Sequence, residues 1–187
     1  TLMDDMSQKG IDRDEVDLVV FTHLHPDHVG WNLTNGRPNF PNARYVIPQK
    51  DWDYWTKPEN INTVDYIVPQ VLPLKENGVI DLLDGEYEIT PELTTYPTPG
   101  HTPGSMSLIV TSGGEKAYMM GDVFHGPAQV TETDWVFHYD IDPDTAGVTR
   151  RGMLDRAEQD NAAIASCHHS GFGRVIRESG KRYWQAL

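Results

Sequence analysis

The chain has 187 residues, 38% of them hydrophobic, with a formal net charge of -13; that is enough apolar material for one domain (1–187) with a real core, and it excludes a disordered chain. The acidic balance, with a pI near 4.8, argues against a phosphate-backbone partner, so no nucleic acid is expected. No stretch reaches the length of a membrane span, so no membrane partner is expected, and the single cysteine, Cys167, excludes an intrachain disulfide.

Residues 1–9 predict the end of a helix, with Gly10 as its C-cap. The apolar run Val16-Asp17-Leu18-Val19-Val20-Phe21 predicts a buried strand. It leads directly into Thr22-His23-Leu24-His25-Pro26-Asp27-His28, which puts three imidazoles and a carboxylate into six residues. Residues 30–41, rich in Asn, Gly and Pro, read as a loop. Residues 44–47 form a short strand, and Pro48 starts a helix carrying Trp52 and Trp55. Residues 57–78, with several prolines, give no clear assignment. From residue 79 the pattern turns to β, with strands at 79–83, 86–89 and 93–96. Strands at 105–111 and 116–120 flank Ser112-Gly113-Gly114, a hairpin signal. Asp142-Pro143 opens a helix to about residue 159, with Met153, Leu154 and Ala157 inward. A strand at 162–166 ends at Cys167-His168-His169. Strands at 174–177 and 182–184 follow around a Ser-Gly turn.

The chemistry-bearing residues fall at the ends of these β-like runs. His23 and His25, two apart on an extended segment, point the same way and can share one metal ion. Asp27 and His28 lie on the following turn and can face a second position. A tight loop, Pro97-Thr98-Pro99-Gly100-His101-Thr102-Pro103-Gly104, surrounds one histidine. Met119-Met120-Gly121-Asp122 ends an apolar strand on a carboxylate. The last cluster contains His168 and His169. All of these could converge on one edge of a sheet system.

The order His-x-His-x-Asp-His, Pro-Gly-His-Thr-Pro-Gly, Gly-Asp and a late His resembles the metallo-β-lactamase superfamily over nearly the whole chain. The flanks His28-Val29-Gly30-Trp31-Asn32, Phe40-Pro41-Asn42-Ala43-Arg44-Tyr45 and Gly171-Phe172-Gly173-Arg174 resemble its methyl parathion hydrolase and quorum-quenching lactonase branch. The resemblance implies a four-layer αββα sandwich. It also implies two divalent ions, zinc first and iron, manganese or cobalt as alternatives. One would be held by His23, His25 and His101, the other by Asp27, His28 and His168, with Asp122 bridging. Two cations roughly 3.5–4 Å apart acidify a bridging water, and the resulting hydroxide attacks an electrophilic carbon or phosphorus. Asp27 is then a catalytic candidate that orients the hydroxide. Asp at position 122, where several true β-lactamases carry Cys, argues against a dedicated β-lactamase. His125 stands three residues after Asp122, where related lactonases place a proton-donating tyrosine, and is a candidate acid or substrate contact.

The resemblance implies hydrolysis of a small lactone, carboxylic ester or phosphotriester, with loops at 31–75 and 123–140 choosing the substrate. The alternatives are thioester hydrolysis of the glyoxalase II type, or a truncated metal-binding protein without turnover. Strand alternation favours His168 over His169 as the last ligand. His138 reads as a half-buried strand or loop residue. Trp31, Trp52, Trp55 and Trp135 are pocket or core residues, and Cys167 is a small buried neighbour of a ligand. Arg150, Arg151 and Arg156 form a solvated basic face. Family members carry several strands before the first motif, whereas about fifteen residues precede it here, so a removed N-terminal piece or a natively short fold is expected. A homodimer covering an incomplete sheet edge, and a cytoplasmic location, complete the expectations.

Overall fold

In the computed structural model, which describes residues 1–187, the chain divides into two compact units, Thr1–Leu83 and Asp84–Leu187. The first opens with α1 (Leu2–Gln8). Thr1 caps it by accepting from the Asp4 amide, and Lys9 takes the C-cap. Gly10 follows the cap at a φ of 69°, the left-handed turn that a side chain resists. The cap is thus one residue earlier than expected.

After a 3-10 turn (Arg13–Glu15), β1 (Leu18–Val20) leads into α2 (Pro26–Val29). A small hairpin, β2 (Leu33–Thr34) and β3 (Arg37–Pro38), precedes β4 (Arg44–Pro48) and α3 (Gln49–Trp55). The segment that gave no clear assignment holds two short helices, α4 (Ile67–Gln70) and α5 (Leu72–Glu76), before β5 (Ile80–Leu83). Pro73 sits in the first turn of α5, where its missing N–H costs nothing. The three longer strands form a parallel sheet in the order β1-β4-β5, with Val19 opposite Tyr45 and Tyr45 opposite Ile80. Leu24, Val29, Tyr45, Ile47, Trp52, Trp55, Ile67 and Leu74 make its core. Trp52 and Trp55 are therefore core residues.

The second unit is a seven-stranded sheet in the order β12-β11-β10-β9-β8-β7-β6. Its strands are β6 (Tyr87–Thr90), β7 (Leu93–Pro97), β8 (Met106–Ser112), β9 (Glu115–Met119), β10 (Ala163–Ala165), β11 (Phe172–Glu178) and β12 (Lys181–Ala186). The hairpin between β8 and β9 turns on Gly113 and Gly114, both at positive φ. Only β9 and β10 pair in parallel, because α6 (Ala128–Thr131) and the long α7 (Pro143–Gln159) are inserted between them. Asp142 caps α7 by accepting from the Thr145 amide, and Pro143 occupies its first turn. Its inward stripe is Ala146, Arg150, Met153, Leu154 and Ala157. Arg150 is 1% exposed, which corrects the solvated reading for that residue, whereas Arg151 is exposed as expected and Arg156 is half-buried. No helix is long and apolar enough to cross a membrane.

Candidate metal centre

In the first unit the donors lie on one loop. β1 ends at Val20, the chain leaves the sheet, and His25 precedes the helix opened by Pro26. The loop is held from inside by Asp51 of α3, fully buried, whose carboxylate accepts the Leu24 amide at 2.9 Å. That bond places Leu24 in the core and turns its neighbours His23 and His25 together. His23 Nε2 lies 3.2 Å from His25 Nδ1, and the His23 and His28 rings are 3.9 Å apart. Thr22 Oγ1 lies 3.1 Å from His23 Nδ1 and 3.4 Å from His28 Nδ1. Asp27, half exposed, is 3.5 Å from His28 Nε2.

In the second unit the donors come from three separate connections. The loop between β7 and β8 carries His101. Gly100 has a φ of 130°, and a Cβ there would sit 2.3 Å from the Ala146 amide nitrogen. Only glycine lets this loop lie against the start of α7. Asp142 and Ile141 donate their amides to the carbonyls of Gly100 and His101, and Thr149 Oγ1 donates to that of Pro99. After β9, Gly121 at φ 55° turns the chain so that Asp122 leaves the sheet edge. After β10, the amide of Cys167 bonds the Gly121 carbonyl, which sets His168 beside Asp122.

The result is one carboxylate oxygen ringed by imidazoles. Asp122 Oδ2 lies 3.0 Å from His168 Nε2, 3.3 Å from His101 Nε2 and 3.3 Å from His125 Nε2. His101 and Asp122 are both 3% exposed, whereas His168 is 40% exposed. His169 turns away and packs edge-on against Trp184. Cys167 is exposed: the chain turns at the end of β10, so the core does not continue through it as expected. His138 is exposed rather than half-buried. Trp31 and Trp135 are 42% and 58% exposed.

Two residues that the sequence did not assign to the site support His101. Asp140 Oδ1 lies 2.9 Å from His101 Nδ1, and both side chains are buried. This carboxylate fixes the ring and turns Nε2 toward Asp122, the arrangement that orients metal-ligating histidines. Burial by itself would raise the Asp140 pKa. The hydrogen bonds from His101 and the Phe137 amide, with the charges of His101 and Arg150, outweigh it and hold the carboxyl below its usual range. Arg150 NH2 lies 3.6 Å from Asp140 Oδ2. The same guanidinium donates to the carbonyls of Val123, Thr133 and Trp135 at 2.9, 2.8 and 2.7 Å. It therefore ties the segment after Asp122 to the segment before Asp140. The signal for Arg150 was its spacing: it falls on the stripe of Ala146, Met153, Leu154 and Ala157.

A dense set of imidazoles around carboxylates can bind a divalent transition ion. The metallo-beta-lactamase superfamily model matches residues 2–168. "Uncharacterized protein YobT" of Bacillus subtilis is 30% identical over 178 residues, 90% of this chain and 72% of that protein. "N-acyl homoserine lactonase AttM" of Rhizobium radiobacter is 32% identical over 122 residues, 63% of this chain. That match spans 44% of the lactonase, less than half its length. The solved structure of hydrolase AbOPH in the beta lactamase superfamily superposes with a TM-score of 0.88 at 26% identity, covering 98% of this chain and 68% of that one. The chain thus has the α/β metallo-beta-lactamase fold.

Proposed function

Because the chain belongs to the hydrolases of the metallo-beta-lactamase superfamily, we propose that it is a dinuclear metal-dependent hydrolase of small ester-like substrates. A lactone is the first candidate, and a carboxylic ester or phosphotriester comes next. The observation that carries this reading is the surrounding of Asp122 Oδ2 by imidazole nitrogens, with His101 braced from behind by Asp140. A buried carboxylate pressed against histidine nitrogens suits divalent ions, and the imidazole and carboxylate donors favour zinc. The name of the lactonase relative favours the lactone.

In this proposal His23, His25 and His101 would hold one ion, Asp27, His28 and His168 would hold the second, and Asp122 would serve both. When bound, the ions supply an acidified water as nucleophile and charge stabilisation for the oxygen of the attacked group. The chain does the rest. Asp140 keeps the Nδ1 proton of His101 engaged, so that Nε2 presents its lone pair. Asp51 and Thr22 fix the loop from which His23, His25 and His28 project. Asp27, half exposed at the turn, would orient the nucleophile by accepting a hydrogen bond from it.

The test is a count of bound metals in the purified protein, followed by a panel of a lactone, an aryl ester, a phosphotriester, a thioester and a β-lactam, with His23→Ala as control. Two ions per chain and metal-dependent lactone turnover lost in the control are expected. Fewer than two ions would end the dinuclear reading. Preference for the thioester would move the chain to thioester hydrolysis, and no turnover on any substrate would leave a metal-binding protein.

A further inference from the structure

We propose that His125 is a metal ligand, and that His101, Asp122 and His125 form a cation site belonging wholly to the second unit. The proposal deepens the hydrolase reading, because it shares His101 and Asp122 with the dinuclear centre.

Three observations carry it. The first is distance. One potential ligand atom from each of the three residues lies within 4.8 Å of the other two. His101 Nε2 and His125 Nε2 are each 3.3 Å from Asp122 Oδ2. A tetrahedral ion with bonds of 2.0–2.1 Å keeps adjacent donors about 3.3–3.4 Å apart. The two contacts are long for hydrogen bonds to a carboxylate and right for two edges of such a site.

The second observation is the state of His125. Its side chain is 9% exposed, and neither ring nitrogen has a hydrogen-bond partner. Buried polar atoms are ordinarily satisfied, and one that is not asks what group completes it. A neutral imidazole always has one unprotonated nitrogen, and a divalent ion in contact with Asp122 and His101 would take that lone pair.

The third is how firmly the ring is aimed. The His125 amide donates to Gln129 Oε1 at 2.7 Å, and Gln129 Nε2 donates to the Trp135 carbonyl at 2.9 Å. The ring stacks on Phe137, with centroids 3.5 Å apart and planes 19° from parallel. His101, the other imidazole of the set, is oriented by Asp140. Both rings are thus held in place by the second unit's own residues. The ligand class is a borderline divalent transition ion such as zinc or cobalt, as two imidazoles and one carboxylate select.

The experiment uses the full chain with His23→Ala, His25→Ala, Asp27→Ala and His28→Ala combined, titrated with cobalt(II) and followed by its visible absorption. One cobalt per chain should bind, and adding His125→Ala should weaken it by at least about 100-fold, more than loss of an outer partner to a ligand would. No cobalt in the four-site variant, or equal affinity with and without His125, overturns the proposal. Circular dichroism verifies that each variant is folded. Should the four-site variant not fold, imidazole nitrogen resonances of the otherwise unchanged chain decide. A His125 Nε2 shift on cadmium or zinc addition supports the site, and an unmoved resonance overturns it. His125→Ala alone gives a further check: full metal content with lost turnover would make His125 a proton donor instead. The dinuclear reading stands or falls separately, on whether the unaltered chain binds two ions.

Discussion

The two units solve one problem, presenting candidate metal donors at the ends of strands, in opposite ways. In the first, His23, His25, Asp27 and His28 are neighbours in sequence, so covalent geometry does most of the placing. One buried carboxylate, Asp51, anchors the loop through the Leu24 amide. In the second, His101, Asp122, His125 and His168 come from three connections, and nothing local relates them. There a buried charged frame, Asp140 with Arg150, links the His101 loop to the segment after Asp122. A site assembled from distant segments depends on residues that are not donors at all.

The sharpest way to break this contrast is Arg150→Met. Methionine keeps bulk on the inward face of α7. It removes three carbonyl hydrogen bonds and leaves the buried Asp140 carboxylate without its cation. Loss of one partner from a buried pair costs about 3–5 kcal/mol. We expect a loss of that size in urea unfolding, with metal affinity falling alongside. A loss below about 1 kcal/mol, the level of an ordinary surface change, would show that the frame is not what assembles the second unit's donors.

That asymmetry also explains what could be seen in the sequence. The first motif is legible because its donors are consecutive and follow an apolar run. His101 and Asp122 were legible as lone polar residues after β-like runs, and strand alternation separated His168 from His169, which the structure places against Trp184. Asp140 was not legible. It follows an aromatic stretch, 39 residues from the ring it holds, and only the packing of the segment just before α7 on the His101 loop brings them together. Arg150 looked like part of a basic surface because charge suggests solvent. Its helical spacing said otherwise; three carbonyls and a carboxylate offset part of the burial penalty, and burial still holds the guanidinium pKa below its usual value. The helices at Ile67–Gln70 and Leu72–Glu76 were hidden by prolines and by lengths too short for periodicity to register.

Asp140→Asn and Asp51→Asn form a matched pair with smaller effects. Asparagine at 140 can still accept from His101 Nδ1 but carries no charge, so zinc affinity should fall by about 10–100-fold, as for other outer partners of histidine ligands. Asparagine at 51 can likewise accept the Leu24 amide. It gives up the charge-assisted part of that bond, about 1 kcal/mol of stability, and the donors of the first unit should stay together because they are adjacent. Competition with a chelator of known affinity measures the first effect, and chemical unfolding the second. An equal loss of zinc affinity in both variants would erase the distinction between the units.

The smallest effects concern two phenols, the fully buried Tyr118 in the second unit and the partly buried Tyr66 in the first. Tyr118 donates to Asp160, and Arg156 Nε donates to the phenol oxygen at 3.1 Å. Burial first, and the bond to Asp160 next, raise its pKa to about 12. Tyr66 is also shifted upward, by burial and by the charges of Asp51, Asp27 and Asp65, but its hydroxyl has no hydrogen-bond partner. A raised phenol pKa means that the folded state keeps its proton longer than the unfolded chain. The Tyr118 contribution is therefore whole below about pH 10, the unfolded value, and is lost as pH rises through the folded value near 12. Phenylalanine at either position should flatten the alkaline fall in melting temperature. At neutral pH the two should part. Tyr118→Phe loses a hydrogen bond worth about 1 kcal/mol, whereas Tyr66→Phe removes an unsatisfied hydroxyl and should be neutral or stabilising. Equal neutral-pH losses in the two variants would mean that the Tyr66 hydroxyl has a partner after all, and that the first unit is tied together as tightly as the second.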